Sequence, residues 1–339
     1  MATDRRPGVE AGAGRDDECG DSESDGDARP DGGSVVQSRS RLVVPRALWQ
    51  MLRPDQAALI LFLYGVGLAA AAVTAGEPLA AHLSRAVGGL VALAATTATV
   101  HYANEYADYE TDALSTGSEF SGGSGALHEY DLPRSVARWA TTTTAAATLP
   151  AGLLAYSLGV PLRALAVLGV VLVGGWEYSL PPLELAWRGL GALTNALLGA
   201  LLLPVYAVAV VTTPTLDHVA LFVPFTVVTT LSLLTTQWPD RDGDAAVGKR
   251  TLATRLSPAR LRRLFFAVAA AYPVSVATVH LTVGLPTPVL VAHLLPLPAI
   301  AWGTRTFTRQ ESPLPGVTAM VSTAVAVGAA WGLELLAHG

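Results

Sequence analysis

A succession of nine apolar stretches constrains this chain more than any other feature. Most of them approach the ~20 residues that a helix needs to cross about 30 Å of hydrocarbon. Apolar residues make up 51% of the chain and charged residues only 14%, which is too apolar for a soluble domain of this length. The sequence therefore predicts an all-α, polytopic membrane bundle with about nine transmembrane helices. Only the eighth stretch is short, and Pro296 and Pro298 break it. The stretches are 57–75, 86–102, 139–158, 164–180, 192–211, 219–238, 264–283, 289–302 and 317–336.

The basic residues beyond residue 41 are distributed unevenly over the connections between stretches. Short loops rich in Arg and Lys stay on the cytoplasmic side of a membrane. Alternate connections hold nearly all of these residues, and only Arg85 and Arg163 lie on the others. We therefore expect a multi-pass protein of the cell membrane with a cytoplasmic N-terminus. The residues assigned to the cytoplasmic side are Arg46, Arg53, Arg134, Arg138, Arg188, Arg241, Lys249, Arg250, Arg255, Arg260, Arg262, Arg263, Arg305 and Arg309.

Residues 1–40 differ in composition from the rest of the chain. They are rich in Gly, Asp, Glu and Ser and include almost no large apolar residue, so they cannot bury enough surface to offset their ordering entropy. We predict a disordered acidic N-terminal tail over 1–40 and a membrane domain over 41–339. The only cysteine, Cys19, lies in this tail. A disulfide, a cysteine zinc cluster or a thiol nucleophile in the membrane domain is therefore excluded.

A first row of polar residues follows the second stretch. Asn104, Asp108 and Asp112 are spaced by four residues, which stacks their side chains on nearly one face of a helix. Ionisable groups at membrane depth are costly and suggest a functional site. Taken alone, such a row is more often a solvated helix end.

A second row follows the sixth stretch and reverses that interpretation. Asp240 and Asp244 have the same four-residue spacing. Pro239 disfavours helix at the residue before it, so we expect the sixth helix to break there and a new turn to begin with Asp240. Lys249 and Arg250 follow this row. Their presence suits a metal-bound diphosphate, although loop cations at these positions also satisfy the positive-inside rule.

The two rows are predicted to face a common cavity. Four stretches separate them, which places both on the cytoplasmic side of a nine-span bundle. We therefore expect a central cavity that opens to that side. Two acidic rows need cations between them, and oxygen-only ligands favour a hard ion such as magnesium.

A glycine-containing loop follows the first row. Residues 115–131 include Gly122, Gly123 and Gly125, and a loop of this length beside a metal-type row suggests a lid. The backbone amides of its Gly-Gly-Ser-Gly segment are candidates for binding a phosphate.

The main alternative from another class is an ion-coupled transporter. It predicts acidic residues near the middle of spans and broken helices in inverted positions, and the sequence shows neither pattern. A purely structural membrane protein would leave both acidic rows unexplained.

These motifs resemble the UbiA family of intramembrane prenyltransferases over nearly the whole chain after the tail. The first row is similar to the family signature N-D-x-x-D-x-x-x-D. The second is similar to its D-x-x-x-D with a following Gly-Lys-x-Thr-Leu, here Gly248 to Leu252. Further agreement lies in Arg53-Pro54 and in the segments 178–183 and 188–191.

The resemblance implies a magnesium-dependent enzyme that transfers a polyprenyl group from its diphosphate to an acceptor. Its expected partners are the polyprenyl diphosphate, a lipophilic or aromatic acceptor and the bilayer, with no nucleic acid. By analogy, Tyr178 faces the allylic cation, and Lys249, Arg250 and Arg188 contact the diphosphate. The residues implied to hold Mg2+ are Asn104, Asp108, Asp112, Asp240 and Asp244.

This chain departs from the family pattern at two positions, and its acceptor is left open. Glu105 stands where Asp is common, which keeps the charge, and Ala192 stands where an acidic residue is frequent. The motifs are most similar to the branch that prenylates 1,4-dihydroxy-2-naphthoate in menaquinone biosynthesis. Branches that use 4-hydroxybenzoate, isoprenoid glycerol phosphates, haem, chlorophyllide or carotenoids share the same acidic rows.

Overall fold

A computed structural model of the chain describes residues 43–113 and 123–338. The predicted tail, 1–40, lies outside the described residues, as does the part of the glycine loop at 114–122. Every regular element in the described ranges is helical, and the only extended pairing there is an isolated bridge between Phe307 and Gln310. The predicted all-α fold class is confirmed.

The helices are numbered α1 to α15 in chain order. A 3₁₀ turn, Leu79–His82, precedes α3, and a π-helical turn, Ala196–Leu202, joins α8 to α9. The bounds are α1 43–51, α2 Pro54–Ala75, α3 Leu83–Ala107, α4 Tyr109–Asp112, α5 Ala126–Glu129, α6 Ser135–Ser157, α7 Leu162–Ser179, α8 Gly191–Asn195, α9 Leu203–Val211, α10 Leu216–Ala246, α11 Leu252–Arg255, α12 Pro258–Thr282, α13 Thr287–Ala292, α14 Leu297–Thr306 and α15 Leu314–His338.

Eight helical segments in the described ranges are long and apolar enough to cross a membrane. They correspond to every predicted stretch except the third. That stretch forms α6, a helix of 23 residues that packs against α3. A run of threonines at 141–144 makes α6 more polar. The hydroxyls of Thr141 and Thr144 donate to the carbonyls of Ala137 and Ala140 in the preceding turn, so the helix satisfies them itself. The count of nine spans stays a prediction.

The eighth span is broken where its prolines predict. Its first part, α13, ends at Ala292, and α14 begins at Leu297 directly after Pro296. A broken span leaves carbonyls without helical partners, and these need other donors in a membrane. The buried Tyr272 hydroxyl supplies one, because it donates to the carbonyl of His293 at 3.1 Å.

The break predicted at Pro239 is wrong, because α10 continues through this proline to Ala246. Proline removes one backbone donor, yet membrane helices tolerate it within a span. Just after this proline, the Arg241 guanidinium lies 4.1 Å from the centre of the Trp238 ring and donates to the Trp238 carbonyl at 2.8 Å. It also donates to Glu311 at 2.8 Å. Asp240 and Asp244 consequently lie in the last two turns of α10, not at a helix start.

Small residues let α2 approach α9 closely. Gly67 is buried in α2 and faces Pro204 and Ala207 of α9. A methyl group on Gly67 would lie 2.6 Å from the Pro204 carbonyl oxygen and 2.7 Å from the Ala207 Cβ atom. Close backbone approach at small residues is typical of membrane helix pairs, where dispersion contacts drive association.

We expect Gly67→Ala to lower the free energy of unfolding by about 1–3 kcal/mol, the usual cost of overpacking. Gly65→Ala is the matched control, because Gly65 lies in the same helix, is exposed, and has no atom within 4 Å of the added methyl group. The control should be neutral or slightly stabilising, since Ala favours helix over Gly by up to about 1 kcal/mol. Unfolding of the purified protein by SDS measures both. Equal effects of the two substitutions would contradict the close α2–α9 contact.

Candidate active site

The first acidic row forms where α3 ends. The chain bends at Asp108, whose φ is −87° and ψ is 5°, and a short helix, α4, carries the row on to Asp112. Backbone hydrogen bonds still link Asp108 to Asn104 at 2.9 Å and Asp112 to Asp108 at 2.8 Å. The one-turn spacing predicted from the sequence therefore persists through the bend. Asp108 is buried.

The second row lies at the end of α10. Asp244 is buried, and Asp240 is half-buried one turn before it. Asp242, between them in sequence, has a side chain that is 85% exposed. The structure thus agrees with leaving Asp242 outside the site.

Lys249 joins the two rows. Its Nζ atom lies 3.3 Å from Oδ1 of Asp108 and 3.8 Å from Oδ1 of Asp244. It also lies 5.7 Å from the centre of the Trp187 ring. Burial lowers the pKa of Lys249, but the carboxylates of Asp108 and Asp244 outweigh this effect and the pKa is raised. One largely buried ammonium group therefore pairs with two carboxylates that are far apart in sequence.

A tight turn after α10 places this lysine. Gly248 has a φ of +78°, in the left-handed region that favours glycine. The amide of Lys249 donates to the Asp244 carbonyl at 2.8 Å, and the amide of Arg250 donates to the Trp187 carbonyl at 3.0 Å. These bonds reverse the chain, so that the Lys249 side chain lies beside the row that precedes it.

The other two basic residues predicted for the site are placed differently. Arg188 is exposed, donates to the Pro182 carbonyl at 3.0 Å and lies 3.7 Å from Glu184. Its guanidinium is therefore engaged with its own loop. Arg250 is exposed and lines a pocket of about 440 Å³ with Lys249 and Arg255. Of the three predicted cations, Lys249 alone makes ion pairs with the acidic rows in the described part of the chain.

Tyr178 and Asn104 are positioned near the same helix ends. The Tyr178 ring packs beside Gly191, and its hydroxyl interacts with the side chain of Asn195. The Asn104 Oδ1 atom accepts a hydrogen bond from the Ser179 hydroxyl at 3.1 Å. The end of α7 thus packs against the first acidic row.

Sequence reasoning missed an ion pair beside the first row. Glu105 is 1% exposed and pairs with Arg53, whose Nη2 and Nε atoms lie 2.7 and 3.0 Å from its Oε1 atom. Arg53 adopts a left-handed φ of 50° immediately before Pro54. Burial lowers the pKa of Arg53, but the carboxylates of Glu105, Asp108 and Asp112 together outweigh this effect, so the pKa is raised. The Arg53-Pro54 motif was a usable signal, but nothing local in the sequence indicates its partner.

The glycine segment contacts carboxylates rather than presenting free amides for a phosphate. The amide of Gly123 donates to Oδ1 of Asp112 at 2.7 Å, and the amide of Ser124 donates to Oε1 of Glu105 at 2.9 Å. Both amides therefore already have carboxylate acceptors, and phosphate binding by this segment stays a prediction. Burial and the neighbouring Asp108 carboxylate raise the pKa of Asp112 to about 6, although the hydrogen bond from the Gly123 amide opposes them.

Within residues 43–113 and 123–338, no three acidic or histidine side chains converge closely enough to hold a metal ion as they stand. The rows nevertheless supply only carboxylate and amide oxygens, the donor set that hard divalent cations prefer. The ammonium of Lys249 lies between Asp108 and Asp244. The arrangement can hold positive charge between two acidic rows at the end of a membrane bundle.

Comparison with known proteins assigns this helical membrane bundle to a family. The profile of the UbiA prenyltransferase family matches residues 58–325. The chain therefore belongs to the UbiA prenyltransferase family, and it is a prenyltransferase. Membership of an enzyme family also answers the transporter alternative. No curated protein matches the chain.

Three solved structures illustrate the similarity. A UbiA homologue from Archaeoglobus fulgidus bound to GPP and Mg2+ is 18% identical, with a TM-score of 0.62 over 86% of this chain and 99% of that one. A digeranylgeranylglyceryl phosphate synthase is 11% identical, with a TM-score of 0.63 over 87% and 99%. The apo structure of a UbiA homologue from Aeropyrum pernix K1 is 15% identical, with a TM-score of 0.60 over 82% and 97%. At these identities the similarity shows the fold.

We expect Lys249→Ala to destabilise the metal-free protein by about 3 kcal/mol or more, because it leaves two largely buried carboxylates without their cation. Arg250→Ala is the control, since Arg250 is the adjacent basic residue and is exposed. That substitution should change stability by less than about 1 kcal/mol. Unfolding with EDTA present measures both. If the two variants unfold alike, the Lys249 bridge contributes nothing to stability.

Proposed function

We propose that this prenyltransferase transfers a polyprenyl group from its diphosphate to an aromatic acceptor in a Mg2+-dependent reaction. The observation that carries the proposal is the position of Lys249 between Asp108 and Asp244. One cation already lies between acidic rows from two distant parts of the chain. A diphosphate bound there needs positive charge next to these carboxylates, both from cations that the carboxylates bind and from the neighbouring Lys249.

The residues present fit Mg2+, because both rows offer hard oxygen donors. Support also comes from the homologue from Archaeoglobus fulgidus, whose structures include GPP and Mg2+ in one case and DMAPP and Mg2+ in another. When bound, Mg2+ would neutralise charge on the departing diphosphate. The proposed Mg2+ ligands are Asn104, Asp108, Asp112, Asp240 and Asp244.

The chain's own residues support departure of the diphosphate. The ammonium of Lys249 pairs with its oxygens, and Arg250 lines the adjoining pocket. The bond between the allylic carbon and the diphosphate oxygen breaks, and its electron pair leaves with the diphosphate. The acceptor carbon then bonds to the allylic carbon and loses its proton. Tyr178 offers an aromatic face to the allylic cation. Arg188 would need to leave its bonds to Pro182 and Glu184 before it could contribute.

The proposed acceptor is 1,4-dihydroxy-2-naphthoate, which assigns the protein to menaquinone biosynthesis. The support is similarity of the segments around Asp240, Lys249 and the Gly-Gly-Ser-Gly loop to that branch of the family. Other acceptors are the alternative within the same mechanism, and one structural relative is a digeranylgeranylglyceryl phosphate synthase. We further propose that the N-terminus and the acidic rows lie on the cytoplasmic side of the cell membrane.

We expect Asp108→Asn and Asp244→Asn each to lower prenyl transfer by about 100-fold or more, because each removes charge that holds the leaving diphosphate through its cation. Asp242→Asn is the matched control, since Asp242 lies in the same turn as Asp244 but is exposed. Transfer of a radiolabelled geranylgeranyl group in membranes, with Mg2+ or EDTA, measures the effect. Wild-type activity in both row variants, or activity unchanged by EDTA, would refute the proposed role of the rows.

An acceptor panel tests the second half of the proposal. Wild-type membranes with geranylgeranyl diphosphate should form product with 1,4-dihydroxy-2-naphthoate, and Asp108→Asn membranes should not. The panel also includes 4-hydroxybenzoate and geranylgeranylglyceryl phosphate, with products separated by chromatography. Product from one of these alone would overturn the acceptor assignment and leave the mechanism intact.

A further inference from the structure

Glu105 lies next to Asn104 in the first acidic row, yet its carboxylate is committed to other groups. The Oε1 atom accepts from two guanidinium nitrogens of Arg53 and from the amide of Ser124. The Oε2 atom accepts from the Ser124 hydroxyl at 2.6 Å. Both oxygens of this buried carboxylate therefore have donors from the protein, and its charge is balanced by Arg53.

The residue before Ser124 holds the last carboxylate of the row. The Gly123 amide donates to Oδ1 of Asp112 at 2.7 Å. A Cβ atom added to Gly123 would clash with Oδ2 of Asp112, so the carboxylate lies directly against this backbone. The orientation of Asp112 thus depends on where the Gly123–Ser124 peptide is held.

We propose that Glu105 is a positioning residue for Asp112. By holding both the amide and the hydroxyl of Ser124, Glu105 fixes the adjoining Gly123 amide, which orients the Asp112 carboxylate for Mg2+. The inference rests on the proposed function, since it takes Asp112 as a Mg2+ ligand. Arg53 is also needed, because its positive charge balances the buried Glu105 carboxylate, which therefore adds no net negative charge beside the row.

The length of the Glu105 side chain matters for this role. Glu105 bridges two separate parts of the chain. Arg53 lies just before α2, whereas Ser124 lies beyond the first row, 19 residues after Glu105. An Asp at position 105 would withdraw the carboxylate by about 1.5 Å, one carbon–carbon bond. Contacts of 2.6 to 3.0 Å would then exceed hydrogen-bond distance on one side or the other. Glu at a position where the family commonly has Asp is therefore a functional difference, not a neutral exchange.

Two substitutions test the proposal, one at each end of the series of contacts that links Glu105 through Ser124 and Gly123 to Asp112. Glu105→Asp releases Ser124 without touching Asp112. Gly123→Ala leaves Glu105 intact and displaces Asp112 by a steric clash, since the Gly123 φ lies outside the left-handed region. The controls are Glu77→Asp, the same shortening at a half-exposed carboxylate that pairs with His82, and Gly152→Ala, a helical site with open space.

The Mg2+ dependence of prenyl transfer by the full-length protein is the first measurement. We expect the half-saturating Mg2+ concentration to rise about tenfold or more in Glu105→Asp and Gly123→Ala, as for loss of an outer-shell contact. The kcat at saturating Mg2+ should stay within about threefold of the wild type, because excess metal compensates for weaker binding. Both controls should match the wild type.

Hydrogen exchange of the metal-free protein is the second measurement and does not depend on activity. The Ser124 amide should exchange faster in Glu105→Asp, because it loses its carboxylate acceptor. An unchanged Mg2+ half-saturation in both variants overturns the proposal, as does a fall in kcat with no change in Mg2+ half-saturation. Wild-type transfer that is independent of Mg2+ would instead refute the proposed function itself, so the two failures are distinguishable.

Discussion

The site depends on two ion pairs made by one residue, Lys249. The chain has 22 lysines and arginines in total, and Lys249 is the only lysine among them. A lysine ammonium is a compact charge on a flexible stem, whereas a guanidinium prefers a planar, two-pronged partner. Lys249 bridges Asp108 and Asp244 at 3.3 and 3.8 Å. A single compact charge can serve two carboxylates in this way and later turn to an incoming anion, because its donors rotate freely.

The helices deliver both rows to one end of the bundle. The first row begins at the C-terminal end of α3, and the second lies at the C-terminal end of α10. Both helices run toward the same end of the bundle, so their rows meet there. Close packing joins the helices in other parts of the bundle: Gly67 packs α2 against α9, and the Tyr206 hydroxyl of α9 donates to the Gly89 carbonyl near the start of α3 at 2.8 Å. The two prolines within α10, Pro224 and Pro239, do not end this helix, which continues to Ala246.

Sequence reasoning predicts what local periodicity encodes. The apolar stretches, the break in the eighth span and the four-residue spacing of each row depend on residues close in sequence, and the structure agrees with the break, with the spacing and with eight of the nine stretches. The hydrogen bond from Arg241 to Glu311 beside Pro239 spans 70 residues, and the engagement of Arg188 depends on how its loop folds. The Arg53–Glu105 pair spans 52 residues. Such partners follow from tertiary packing, and a single sequence does not reveal them.

Charge balance at the site links metal binding to substrate binding. In the described part of the chain, the two rows contribute the carboxylates of Asp108, Asp112, Asp240 and Asp244, the Lys249 ammonium pairs with Asp108 and Asp244, and Arg53 pairs with Glu105. The site therefore keeps a net negative charge that repels an unaccompanied diphosphate. Under the proposed function, cations bound to the rows would reverse this local charge, and the diphosphate would interact with these cations and with Lys249. Because each ligand would then improve the binding of the other, we expect metal and diphosphate to occupy the site cooperatively. On this proposal, the acidic rows reject free anions and accept a metal-bound one, so the selectivity rests on charge alone.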